Sequence, residues 1–214
     1  ATGTNLLAGN ALSVTADTTY VLTLTADAEI TYTIVGTKVA NYGTTVTGPP
    51  LWENLTVSNE QIFNATNKAA DDLFGYSVSI SGNYAIVGAI SQNTGISNSG
   101  AAYIFERNET TGTWSETQML KASNAGADDE FGFSVSISGS YAIVSAHVEN
   151  TGYNNSGAVF IFERDTNGIW GTAVSGQTYY NENQMFKASN KAADDQFGYS
   201  VSISGNYAIV GAIS

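Results

Sequence analysis

Three acidic doublets, Asp71-Asp72, Asp128-Asp129 and Asp194-Asp195, each lie one residue ahead of a Phe-Gly pair. Carboxylate oxygens are what a hard cation such as calcium prefers, so these Asp residues are candidate metal ligands and calcium is the ion they would take. The same spacing fits a structural task. An Asp side chain accepts hydrogen bonds from N–H groups of a nearby turn, and a turn that recurs repeats its cap. Histidine chemistry would run through His147 alone, with Ser145 two residues before it and Glu149 two after. No nucleophile-elbow motif surrounds that trio, and sister segments hold Ile90 and Ile213 at the histidine's position, so no enzyme activity is expected. The absence of Cys removes thiol nucleophiles, disulfides and cysteine-type zinc sites together.

The elements that carry these residues are set by an internal repeat. The run Asp71-Asp-Leu-Phe-Gly-Tyr-Ser-Val-Ser-Ile-Ser-Gly-Asn-Tyr-Ala-Ile-Val87 returns almost unchanged from Asp128 and again from Asp194. Phe74, Phe131 and Phe197 are 57 and 66 residues apart, and most of the difference is an insertion over 171–183. Within a unit, Val78 and Ile80 alternate with Ser77, Ser79 and Ser81, the period of a strand with one packed and one polar face. Ser81-Gly82-Asn83 then turns the chain into a more buried strand over 84–89. A third strand is expected over 100–105 and a fourth over 114–122, giving each unit a four-stranded antiparallel sheet. Small residues at Gly88-Ala89 and Gly100-Ala101-Ala102 let neighbouring sheets approach closely, while Phe74, Tyr76, Tyr103 and Phe105 fill wider gaps. One such sheet buries too little surface to stand alone, so the units must stack on one another.

Phe-Gly-x-Ser-Val at 74–78, Val-Gly-Ala at 87–89 and Ser-Gly-Ala-Ala-Tyr-Ile-Phe at 99–105 resemble the FG-GAP repeat, the blade of integrin-α-type β-propellers. The resemblance covers roughly residues 51–214 and implies an all-β fold of four-stranded antiparallel propeller blades, incomplete within this chain. It also implies extracellular, non-catalytic work in adhesion or ligand display, often with calcium bound in hairpin loops. The family's Asp-x-Asp-x-Asp-Gly loop has no counterpart at 79–83, 136–140 or 202–206, and the proline that ends its motif is replaced by Ile90, His147 and Ile213.

Residues 1–50 lie outside the resemblance and read as a short N-terminal β-segment. Its strands over 20–25 and 29–35 either form a small sandwich or are donated to a blade elsewhere. Counted from Asn59, the chain holds one fourth-type strand, two full units and a last copy with two strands. The missing strands come from a longer chain or from other copies, and head-to-tail donation would build an open polymer. Glu106-Arg107 and Glu163-Arg164, which close the third strands, are expected to form cross-strand or inter-blade ion pairs. Trp114 and Trp170 are expected to cap the blades. The copies differ most at the insertion, where Tyr179 and Tyr180 are candidate partner-binding residues or anchors on a neighbouring sheet.

Composition limits the partners. With 7 Lys+Arg against 19 Asp+Glu and a net charge of −12, the chain lacks the basic surface that nucleic acid or an anionic membrane requires. Membrane insertion is not expected, because no apolar run reaches the length of a spanning helix. A start at Ala1 fits a processed or excised secreted segment. The expected role is that of an extracellular or cell-surface structural or adhesive repeat, whose partners are further copies, further repeats, or an extracellular protein or glycan. The alternatives are a calcium-dependent ligand- or glycan-binding module and an accessory region of a larger secreted enzyme.

Overall fold

The computed structural model describes residues 19–26, 30–37 and 61–213, and the chain divides between Ser58 and Asn59 into two units. In the first, β1 (Thr19–Ala26) and β2 (Ile30–Thr37) pair as an antiparallel hairpin, with Thr19 opposite Thr37 and Ala26 opposite Ile30. Both strands are rich in Thr, Val, Ile and Leu, residues that suit a pleated surface. The remainder of the 1–50 segment, including Glu29 and the connection at 27–28, lies outside the described residues.

The second unit is a series of antiparallel meanders, with no helix among the described residues. The first blade runs β3 (Phe74–Ser81), β4 (Tyr84–Ala89), β5 (Ala101–Arg107) and β6 (Trp114–Leu120), each paired with the next. Gly82 takes a φ of 58° in the turn between β3 and β4, a left-handed conformation that glycine adopts without steric cost. The second blade begins with β7 (Val135–Ser138), β8 (Tyr141–Ala146) and β9 (Ala158–Glu163). Its fourth position is divided. Trp170 bridges Arg164, the chain then leaves through β10 (Thr172–Ala173) and β11 (Tyr179–Asn181), and it returns as β12 (Gln184–Phe186) against β9. The third copy contributes β13 (Ser200–Ser204) and β14 (Tyr207–Gly211), a hairpin in the same register.

Two features depart from four strands per unit. The insertion of the second blade docks on the outer edge of the first: β11 pairs in parallel with β6, and β10 pairs with β11 in turn, which extends that sheet to six strands. An outer strand presents unpaired N–H and C=O groups, and the insertion satisfies part of that edge, as when Lys121 N–H donates to Tyr180 O at 2.9 Å. The fourth-type segment from Gln61 to Asn67 joins no sheet, because no third strand of its own unit lies beside it among the described residues. It packs by side chains instead. Phe63 stacks on Phe105 at 4.6 Å, and Gln61 accepts from Trp114 N–H at 2.9 Å.

The larger of two cores sits between sheets, and the smaller lies on the first sheet, where Val87, Tyr103, Phe105 and Met119 pack with Phe63, Ala65 and Tyr179. Ile86, Ile104 and Leu120 of the first blade meet Val135, Ile137, Phe160, Phe162 and Trp170 of the second in a single buried cluster. The approach is as close as the small residues imply. A Cβ on Gly88 would lie 2.0 Å from Gly132 O, and one on Gly100 would lie 2.1 Å from Phe131 O.

Candidate functional site

Two of the acidic doublets, Asp128-Asp129 and Asp194-Asp195, strap consecutive units together, and each of the three caps a local turn. The second residue of the doublet caps a turn just upstream: Asp72 Oδ2 accepts from Ala69 N–H at 2.7 Å, Asp129 Oδ2 from Gly126 N–H at 2.6 Å, and Asp195 Oδ2 from Ala192 N–H at 2.6 Å. The first residue is left-handed in all three, with φ of 66°, 62° and 65° at Asp71, Asp128 and Asp194, a region Asp enters more readily than most residues. Asp128 Oδ1 accepts from Asn98 Nδ2 and Asp194 Oδ1 from Asn155 Nδ2, both at 2.8 Å. Backbone bonds from Asp128, Glu130 and Phe131 to Ser97, Asn98 and Ser99 run beside the first contact, and the same three-bond pattern joins Asp194, Gln196 and Phe197 to residues 154–156. Among the described residues no three Asp, Glu or His side chains gather as a ligand set. The carboxylates of Asp128, Asp129, Asp194 and Asp195 are engaged by N–H donors from turns and from the preceding blade's loop, whereas Asp72 keeps one buried oxygen, Oδ1, without a partner.

Below the straps lie two buried polar knots that the strand pattern did not point to. Lys121 is buried, and its Nζ donates to Gln92 Oε1 and Ser99 Oγ, each at 3.0 Å. Burial pushes its ammonium down to about 8, while the nearby Asp72 carboxylate pulls the other way. In the next unit Lys187 pairs with Glu149 and reaches Thr151 O, and Glu149 also accepts from Asn124 Nδ2 at 2.7 Å. Burial and the Glu149 charge raise the Asp129 carboxyl. The sequence signal was present in Gln118-Met-Leu-Lys121 and Gln184-Met-Phe-Lys187, which place a lysine at the end of an apolar strand in both full units.

His147 stacks on Phe133 with ring centroids 3.6 Å apart, and burial lowers its pKa. Its Nδ1 has no hydrogen-bond partner, Ser145 Oγ accepts from Ser134 N–H, and Glu149 is held by Lys187, so the trio forms no relay. Tyr179 and Tyr180 lie half-buried on β11, opposite Met119 and Leu120, each packed against one of the two apolar clusters of the first sheet. No Glu–Arg salt bridge of the kind expected at the third strands forms among the described residues, and Arg164 turns instead to an aromatic partner across the seam. Arg164 lies 4.5 Å from the Tyr84 ring centroid and donates to Tyr84 Oη, which in turn donates to Glu106. Trp170 is fully buried between the blades and meets Tyr84 edge-on, whereas Trp114 is half-buried beside Phe63.

The seam itself is lined with serine. Ser79 and Ser81 accept from Ile137 and Gly139 N–H at 3.1 Å, and Ser134, Ser136 and Ser138 accept from Val201, Ile203 and Gly205 N–H at 3.0–3.1 Å. The polar face of each inner strand thus satisfies the free backbone edge of the next. Beyond the second blade opens a cleft of about 540 Å³, bounded by Ile143, Val159, Ile161 and Phe186 on one side and by Phe197, Ala208 and Val210 on the other. By repeat equivalence these are the walls that enclose Phe160, Phe162 and Trp170 between the first two blades.

A family model described as the FG-GAP repeat matches the chain three times, over residues 57–105, 114–162 and 180–214. No curated protein matches the chain.

Proposed function

The chain belongs to the FG-GAP repeat family, and on that premise we propose that it is a non-catalytic extracellular structural or adhesive module that works by joining blades to one another. One observation carries this reading: the first two blades share one buried core, and the cleft beside Phe197 is walled by the repeat equivalents of the residues that bury Phe160, Phe162 and Trp170. The repeat is typical of extracellular and surface proteins. Suitable partners are further repeats or copies of the chain, and an extracellular protein or glycan at the insertion.

The test is a paired measurement on the full chain, with self-association followed by light scattering and adherence followed on cell-surface and glycan supports, each with and without a calcium chelator. Assembly or adherence that survives chelation is the expected result. Glycan binding that chelator abolishes, without any self-association, would replace this reading with that of a calcium-dependent lectin-like module.

A further inference from the structure

Within the 59–214 unit, positions that are buried between blades lie bare, among the described residues, on its first and last strands. Val135 and Ile137 on β7 are 7% and 4% exposed, packed across β3 and β4 of the first blade. Their counterparts on β3, Val78 and Ile80, are 68% and 66% exposed. On the opposite surface, Ile86 is fully buried where the second blade covers it, whereas its counterpart Ile209 on β14 is 72% exposed. The polar half of the seam is divided in the same way. Ser200, Ser202 and Ser204 are exposed, and no described donor reaches them from the following side, as Val201, Ile203 and Gly205 reach Ser134, Ser136 and Ser138. β3 has the register on β4 that β13 has on β14, so the N–H groups of Val78, Ile80 and Gly82 lie on the outward side. An aromatic column follows the seam, with Tyr76, Phe133 and Tyr199 stepping at 5.3 Å between centroids, and both end rings are exposed.

We infer that β3 of a second copy docks on the β13–β14 hairpin, repeating between molecules the seam already made twice within one. Val78 and Ile80 of the incoming copy cover Ile209, and its Val78, Ile80 and Gly82 N–H groups donate to Ser200, Ser202 and Ser204. Its Tyr76 continues the column beyond Tyr199. The contact needs only strands that the chain possesses, since β7 itself packs on the two inner strands of the first blade. The two surfaces differ, so the interface is heterologous: every copy offers one of each, and association continues until a ring closes or a filament grows. This deepens the structural reading proposed above by naming the face through which copies join.

Two singly blocked variants test it. V78K/I80K removes the donor face and I209K the acceptor face, and all three positions are exposed, so folding is retained and is checked by the melting transition. The full-length wild-type chain should show concentration-dependent assembly by analytical ultracentrifugation, each variant alone should be monomeric, and an equimolar mixture should form a dimer that grows no further. Replacing Ser200, Ser202 and Ser204 by Ala should weaken association by about fivefold per hydroxyl removed. A wild-type chain that stays monomeric at all concentrations, or a blocked variant that still dimerises with itself, overturns the interface. In the second case self-association persists by another route and the structural reading stands, whereas loss of both assembly and adherence removes that reading as well.

Discussion

Lys121 and Lys187 occupy the same place in consecutive blades, yet their surroundings give opposite consequences. Lys121 faces the neutral Gln92 and Ser99, and burial lowers its ammonium to about 8 from an ordinary 10.5. The unfolded chain keeps that proton over a range where the folded chain has released it, so unfolding takes up a proton between these values and stability rises with pH across the window. Urea denaturation from pH 8 to 10 should show this gain, at most about 3 kcal/mol over the full interval, and Lys121→Met should remove it. Lys187 faces Glu149, whose side chain is 1% exposed. Lys187→Met should therefore cost about 3–5 kcal/mol by leaving a buried carboxylate unpaired, read as a lower denaturation midpoint near neutral pH. The acidic doublets belong to this scale too. The oxygens of Asp128, Asp129, Asp194 and Asp195 already hold backbone or Asn N–H groups, and among the described residues no three acidic side chains gather, so added calcium should leave the melting temperature unchanged, and a rise of several degrees would assign them to metal. Asp129→Ala should cost about 1 kcal/mol through the lost turn cap.

At the level of elements, the insertion and the glycine seam decide how the sheets fit. β11 extends the first sheet although its residues belong to the second unit, and Tyr180 packs on the core shared by both. Deleting 172–181 should uncover the β6 edge and lower stability by about 2 kcal/mol, the cost of re-exposing one half-buried aromatic pair, measurable by chemical denaturation. Gly100→Ala meets two obstacles at once, a φ of 79° and the Phe131 carbonyl 2.1 Å from the added carbon. A loss of about 2 kcal/mol or more is expected, with hydrogen exchange at Phe131 and Gly132 rising most. The insertion's docking was not readable from periodicity, because β10 and β11 are only two and three residues long and carry no alternation. The strand–turn–strand over 74–89 was readable, because Val78 and Ile80 alternate with Ser and the turn carries glycine.

Considered whole, the 59–214 unit shares its core between neighbours. Ile86 and Ile104 pack with Phe160 and Phe162 from a different sheet, so neither blade can lose its packing without uncovering the other. Ile137→Ala, at the centre of the seam, should lower the midpoint of both blades in one cooperative transition, and exchange protection in β4 and β8 should fall together. The repeated run beginning at Asp71, Asp128 and Asp194 by itself determined the blade, its inner strand, its tight turn and its need for a neighbour, because these follow from short-range alternation and from glycine's conformational freedom. Only the tertiary structure decided that the serines bond the adjacent strand, that Arg164 reaches Tyr84 rather than a glutamate, and that the lysines sit in buried knots. Those outcomes depend on which side chains meet across 20 to 80 residues of chain, and a one-dimensional pattern records the period of a strand but not the partner opposite each of its atoms.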